Sequence, residues 1–212
     1  MVNLNDEKLA EFVGIVLGDG SIGIYNCFSN GVIKKQHRLK ISFDSREKSY
    51  INYVSELVYD LFGETPHISK RSGENTTDLL ILKKSIVLSL LDEIRLIKSP
   101  KWGRAEIPAE FIKIPLERAV LRGYSDTDGS VVITNNNGTI YPRLEMKVCP
   151  SPMQKQIRDI LERTGLKFGT YNVGKGEIRI QINGVKQLQL WVELIGFSNL
   201  KHQERAINFL NG

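Results

Sequence analysis

Two stretches of this chain follow one pattern: EKLAEFVGIVLGDGSI over residues 7–22 and ERAVLRGYSDTDGSV over 117–131. In each, an acidic start leads into apolar residues at helical spacing, then a glycine, then Asp-Gly-Ser. Gly14, Asp19, Gly20 and Ser21 recur as Gly123, Asp128, Gly129 and Ser130, about half of the 212 residues further on. A repeat on this scale calls for two copies of one substructure, so whatever the shared residues do is done twice.

The segments downstream of the two copies repeat as well. Asp19 precedes SIGIYNCFSNGVIKKQHRLKISF, two strand-like runs about Asn30-Gly31; Asp128 precedes SVVITNNNGTIYPRLEMKV, two runs about Asn137-Gly138. Asn-Gly between such runs is the strongest short hairpin signal. Helical patterns come next, near 46–62 and 153–165, then second hairpins turning at Ser72-Gly73 and Gly174-Lys175-Gly176, then apolar helices near 84–97 and 184–196. The tail KHQERAINFLNG reads as a short closing helix. The predicted fold class is α+β, two pseudo-symmetric halves of the order helix, hairpin, helix, hairpin, helix. They divide as 1–98 and 115–212, joined by a linker over 99–114. Asn5 is placed to cap the first helix, with Asp6 and Glu7 favourably set in its first turn.

The repeat also excludes a competing reading. Gly18, Gly20 and Gly23 spell G-x-G-x-x-G with Asp44 downstream, a dinucleotide-binding fingerprint. That unit needs a helix directly after the glycine loop, whereas residues 21–43 carry Asn30-Gly31 amid β-branched runs. The second copy, moreover, drops the extra glycines. DTDGS is not a calcium loop either, because Val131 takes the place of the required glycine and Asn137 that of the terminal bidentate acid. The common denominators are Asp19 and Asp128.

Lysine and arginine outnumber the acids 29 to 24, for a net charge of +5, which suits a polyanionic partner. Hydrophobic residues make up 41% of the chain, ample for a core. Cys27 and Cys149 are too few for a metal cluster or a disulfide framework and suggest a reducing compartment. MVNLNDEKLAEF lacks the cationic head and apolar stretch of a signal or transit segment, and no apolar run reaches membrane-spanning length. The expectation is a soluble intracellular protein, cytoplasmic or nucleoid-associated, without a membrane partner. His37, His67 and His202 lack zinc-site spacing and read as surface or satisfied residues. Trp102 and Trp191 read as core or linker packing.

On these residues the chain resembles the LAGLIDADG homing endonucleases in their single-chain, two-motif form. The motif falls on FVGIVLGDG, Phe12–Gly20, and on LRGYSDTDG, Leu121–Gly129, and the linker KSPKWGRAEIPAEF looks like the joint of such enzymes. Leu17 replaces the acid of the motif's sixth position, while the second copy keeps Asp126. The resemblance implies a monomeric endonuclease for intron homing, which cuts a long double-stranded DNA site with a stagger. It also implies a saddle of antiparallel strands over the major groove. Asp19 and Asp128 would be the catalytic acids, and the main-chain carbonyls of Gly18 and Thr127 would join them as ligands to Mg2+, two or more divalent cations in all. The chain's own intron RNA is a further partner the resemblance allows. The alternative is a non-cleaving maturase or regulator on the same scaffold, which loss of an aspartate would have favoured; both are present.

The residues fit that picture physically. Gly14 and Gly18 lie one helical turn apart, as do Gly123 and Thr127, so small side chains line a face on which two helices can approach closely. Such packing brings Asp19 and Asp128 together, and like carboxylates repel unless cations share their site. Strand parity sets Leu39, Ile41 and Phe43 against Arg38, Lys40 and Ser42, and Leu144, Met146 and Val148 against Arg143, Glu145 and Lys147. Lys40 and Lys147 are therefore expected at equivalent polar-face positions, where the resemblance implies a basic residue steadying phosphate or water. Arg179 and Gln181 in EIRIQING suit base edges. Tyr25, Asn26, Lys34, Lys35, Arg38, Lys70, Arg71, Asn135, Asn136 and Arg143 complete the expected DNA contacts.

Overall fold

A computed structural model describes residues 3–29 and 31–212; Asn30 of the expected first turn and the side chains of Ser29 and Asn136 lie outside the described residues. The first half runs α1 (Glu7–Gly18), β1 (Gly20–Ser29), β2 (Val32–Asp44), α2 (Lys48–Phe62), β3 (His67–Lys70), β4 (Thr76–Ile81) and α3 (Lys84–Asp92). The second runs α4 (Leu116–Asp128), β5 (Gly129–Asn136), β6 (Thr139–Val148), α5 (Met153–Arg163), β7 (Gly169–Gly174), β8 (Glu177–Asn183), α6 (Val185–Leu194) and α7 (Leu200–Asn211). Each half holds one four-stranded antiparallel sheet, ordered β1-β2-β4-β3 and β5-β6-β8-β7. Among the described residues no helix is long and apolar enough to cross a membrane.

Local chemistry accounts for the element boundaries. The β5–β6 hairpin turns on Asn137 and Gly138, both at positive φ, as a two-residue turn matched to strand twist requires. Asp6, not Asn5, caps α1: its side chain accepts from the Lys8 amide at 2.8 Å, because Asp6 is the extended residue directly before the helix. Asn5 instead accepts from Lys113 Nζ at 2.7 Å. Helix α3 stops at Asp92, short of the apolar pattern's end at 97. There Arg95 adopts a left-handed φ of 66°, and the Ile94 and Leu96 amides fold back onto the Ser89 and Leu90 carbonyls.

Strand alternation decides which face is core. Leu39, Ile41, Phe43, Leu144, Met146 and Val148 are buried, while Arg38, Lys40, Ser42, Arg143 and Glu145 keep partial access to solvent. Trp191 is fully buried, and Trp102 stays 49% exposed in the linker.

Helices α1 and α4 form the joint. Leu9, Phe12, Val13 and Ile15 of α1 and Val120, Leu121 and Tyr124 of α4 are buried, each contributing about 1.5–3 kcal/mol of apolar burial for the larger aliphatic and aromatic side chains. The helices touch backbone to backbone. A Cβ on Gly14 would overlap the Val120 carbonyl oxygen and stand 2.8 Å from the Tyr124 nitrogen; one on Gly123 would overlap the Glu11 carbonyl oxygen. Beside this seam the halves are pinned by a partly buried ion pair, Arg122 to Glu11 at 2.8 Å, with the Tyr53 hydroxyl donating to the same carboxylate at 2.7 Å.

The hydrogen-bond register corrects one expected equivalence. Gly20 pairs with Ile41 and Gly129 with Met146, so Lys40 corresponds to Glu145 and Lys147 to Ser42. Counting along the chain from each aspartate misaligns the two because the first hairpin is longer: β1 and β2 hold 10 and 13 residues, β5 and β6 hold 8 and 10. Lys40 and Lys147 share the polar face but occupy different rows.

Candidate active site

Each motif runs from helix straight into strand, and the aspartate stands at the corner. Asp19 is the C-cap of α1, its amide bonding back to Ile15 and Val16, and Asp128 is the last residue of α4. The glycine after it is a packing requirement. A Cβ on Gly20 would lie 2.6 Å from Val16 Cα, and one on Gly129 would run into the Ser125 carbonyl.

The close helix seam carries these corners together. A Cβ on Gly18 would sit 3.3 Å from Asp128 Oδ2, so the carboxylate of one helix reaches the last turn of the other. Protein packed about Asp19, and then the charge of Asp128, push its carboxyl up to about 7, although its outer side stays open to solvent. Burial also raises Asp128, opposed by Lys101 and Lys147.

Lys101 is the participant that sequence reasoning missed. This linker residue reaches back to the end of α1, where Nζ donates to the carbonyls of Val16 at 3.1 Å, Leu17 at 2.5 Å and Gly18. Those are carbonyls of the last turn, at the negative end of the helix dipole, where intrahelical partners run out. Burial lowers the Lys101 pKa, and both aspartates oppose that fall. Among several linker cations, nothing in KSPKWGR singles it out.

Two unlike pockets flank the pair. The one at Asp128 is lined by Lys101, Lys147, Glu177, Tyr124 and Cys149, with Lys147 bound to Glu177 at 2.7 Å. The one at Asp19 is acidic, lined by Asp44, Glu47 and Asp126 together with Lys201 and His202. Glu47, the N-cap of α2, binds Lys201 at 2.7 Å and accepts from Asn199 at 3.0 Å. The matching N-cap of α5 is Pro152, so the other pocket has no counterpart to this acid. Asp126 is buried and takes a structural part: Oδ2 accepts from the Ser198 and Asn199 amides at 2.7 and 3.1 Å, tying α4 to the start of α7. His202 is buried as well, 3.6 Å from Asp126. Lys40 lies one row further out on β2, near Asp78.

The polar faces of the sheets bring together some of the expected contact residues. Tyr25, Lys34, Arg38 and Lys40 share one face of the first hairpin, with Arg38 stacked over the Tyr25 ring at 4.6 Å. Arg143, Arg179 and Gln181 converge on Glu145 at 3.2, 3.9 and 3.2 Å. Arg71 is held by Asp78 at 2.8 Å and by Glu74 at 3.2 Å. Asn26 and Lys35, which pair with each other, fall by parity on the opposite, helix-side face, as do Lys70 and Asn135. Asn135 instead accepts from the Gly138 amide at 3.0 Å, a turn-holding bond. The Asn136 side chain lies outside the described residues.

Among the described residues no three acidic, histidine or cysteine side chains converge as metal ligands. A cation here would rest on two carboxylates and main-chain oxygens, a donor set suited to hard divalent ions. The Lys101 ammonium at the Gly18 carbonyl, beside both carboxylates, shows that the place attracts positive charge.

Comparison with known proteins agrees with this architecture. The model of the LAGLIDADG DNA endonuclease family matches residues 11–188. A DNA polymerase of Thermococcus kodakarensis is 27% identical over 92% of this chain, and the replication factor C small subunit of Methanocaldococcus jannaschii is 24% identical over 97%. The chain spans about a tenth of the length of these curated relatives. Among solved structures, the homing endonuclease I-GzeII in complex with its DNA target superposes with a TM-score of 0.66 at 11% identity, covering 100% of this chain and 90% of that one. I-DmoI in complex with DNA and Mn gives 0.61 at 17% identity, covering 92% and 99%. The structural likenesses concern the fold, whereas the family match runs through both motif helices and all eight strands. On that ground the chain belongs to the LAGLIDADG DNA endonuclease family.

Proposed function

We propose that this chain is a sequence-specific homing endonuclease that acts as a monomer and makes a staggered double-strand break by Mg2+-dependent phosphodiester hydrolysis. The observation that carries this reading is the meeting of Asp19 and Asp128 at the ends of two helices packed backbone to backbone. The solved I-GzeII and I-DmoI complexes hold DNA, the second with Mn, and so lend the reading support. Two far longer replication proteins matched over about a tenth of their length fit a mobile segment carried within a host gene.

In this mechanism Asp19 and Asp128, with the Gly18 and Thr127 carbonyls, would hold the divalent cations. When bound, these supply the activated water and the charge neutralisation that phosphate hydrolysis needs. One aspartate serves each strand. Lys147 stands beside Asp128 and Lys201 beside Asp19, each placed to meet phosphate charge. The polar sheet faces then hold the duplex, Arg179 and Gln181 at base edges and the flanking cations at phosphates.

The test is cleavage of a supercoiled plasmid carrying the gene's own flanks rejoined without the insert. Wild type with Mg2+ is expected to linearise it, and Asp19→Asn or Asp128→Asn to bind it without double-strand cleavage. Full linearisation by either variant would overturn the paired-aspartate mechanism.

A further inference from the structure

The Gly18 carbonyl has two claimants. As a proposed metal ligand it should face a divalent cation, yet it already accepts from the Lys101 ammonium, which also bonds Leu17 at 2.5 Å and Val16 at 3.1 Å. That ammonium acts electrostatically on both Asp19 and Asp128 and is partly buried. Lys147 is engaged elsewhere, bound to Glu177 at 2.7 Å. An ammonium and a divalent cation on one carbonyl oxygen compete for it, because two positive charges repel strongly at contact range.

We infer that Lys101 is the resident cation of this site, balancing the aspartate pair and satisfying the end of α1 until a divalent cation displaces it. The inference rests on the proposed metal site. In the metal-free protein the ammonium does for the two carboxylates and the α1 carbonyls what the metal does later. It therefore stabilises the empty site and weakens metal binding. Lys101 lines the pocket beside Asp128, so its four-carbon stem can swing aside into that space. Displacement exchanges one cation for another, with no bond made or broken beyond these contacts. Lys101 is a positioning residue in this role, and its effect reads out in metal affinity rather than in turnover alone.

The experiment is a Mn2+ titration of the DNA-free full chain, monitored by the electron paramagnetic resonance of free Mn2+. Wild type, Lys101→Met, Lys101→Gln and Asp19→Asn are compared, each checked for folding by circular dichroism. Both Lys101 variants are expected to bind Mn2+ about tenfold or more tightly than wild type, and Lys101→Met to melt lower in EDTA and recover with Mn2+. Should Lys101→Met fail to fold, Lys101→Gln carries the test, since its amide can still donate to the helix end. If wild type binds Mn2+, Asp19→Asn loses it, and the Lys101 variants bind no more tightly than wild type, the metal site stands and the displacement idea falls. If none of the four proteins binds Mn2+, the metal site and the inference fall together.

Discussion

Asparagine at position 19 should stabilise the metal-free protein even though it is expected to stop cleavage. The Asp19 carboxyl is pushed up to about 7 in the folded state, against 3.8 ordinarily, first by the protein around it and then by Asp128. Below about pH 4 the group keeps its proton in both folded and unfolded chains and costs nothing. As the pH rises toward 7 the unfolded chain releases the proton while the folded one retains it, so stability falls. Above 7 the loss is complete. The interval corresponds to about 4 kcal/mol at 1.36 kcal/mol per pH unit. Because the side chain is open to solvent on its outer side, screening reduces this to roughly 1–2 kcal/mol. Asparagine never ionises, so D19N should gain that amount over wild type at pH 8. For a chain of this size the gain is roughly 2–8 °C in melting temperature. Differential scanning calorimetry in EDTA at pH 4 and pH 8 measures it. Equal melting at pH 8, or a gain equally large at pH 4, would refute the electrostatic account.

The geometry makes two further outcomes testable. Gly14→Ala and Gly123→Ala each drive a methyl into a carbonyl oxygen of the facing helix, and each should cost roughly 1–3 kcal/mol in urea denaturation; wild-type stability in both would mean that the helices do not meet backbone to backbone. On a mapped target, Arg179→Ala and Gln181→Ala should each lose roughly 1–3 kcal/mol of binding and relax base preference at one position, while Lys34→Ala should weaken all sequences alike and lower the salt slope by about one. Uniform weakening by all three in a binding-selection assay would place Arg179 and Gln181 on phosphates instead.

What could be read from the sequence was local or repeated. Helical and strand periodicities, and Asn-Gly turns, are written in residues close to one another, so the two halves, their hairpins and the buried rows Leu39-Ile41-Phe43 and Leu144-Met146-Val148 were legible. The meeting of Asp19 and Asp128 could also be argued, because the small residues that allow it sit on the same helices. Contacts made across the fold were not legible. Lys101 lies 83 residues from Gly18 and reaches it only through the path of the linker. The true partners of Lys40 and Lys147 depend on register, which hairpin length sets and the spacing from the aspartates does not. Parity turned Asn26, Lys35, Lys70 and Asn135 to the helix side although their chemistry suits DNA. The contrast between an acidic pocket with Glu47 and a lysine-lined one with Pro152 at the matching corner emerges only once the two sheets are aligned. Local periodicity decides which elements form; the neighbours of a side chain are decided by where the folded backbone carries it.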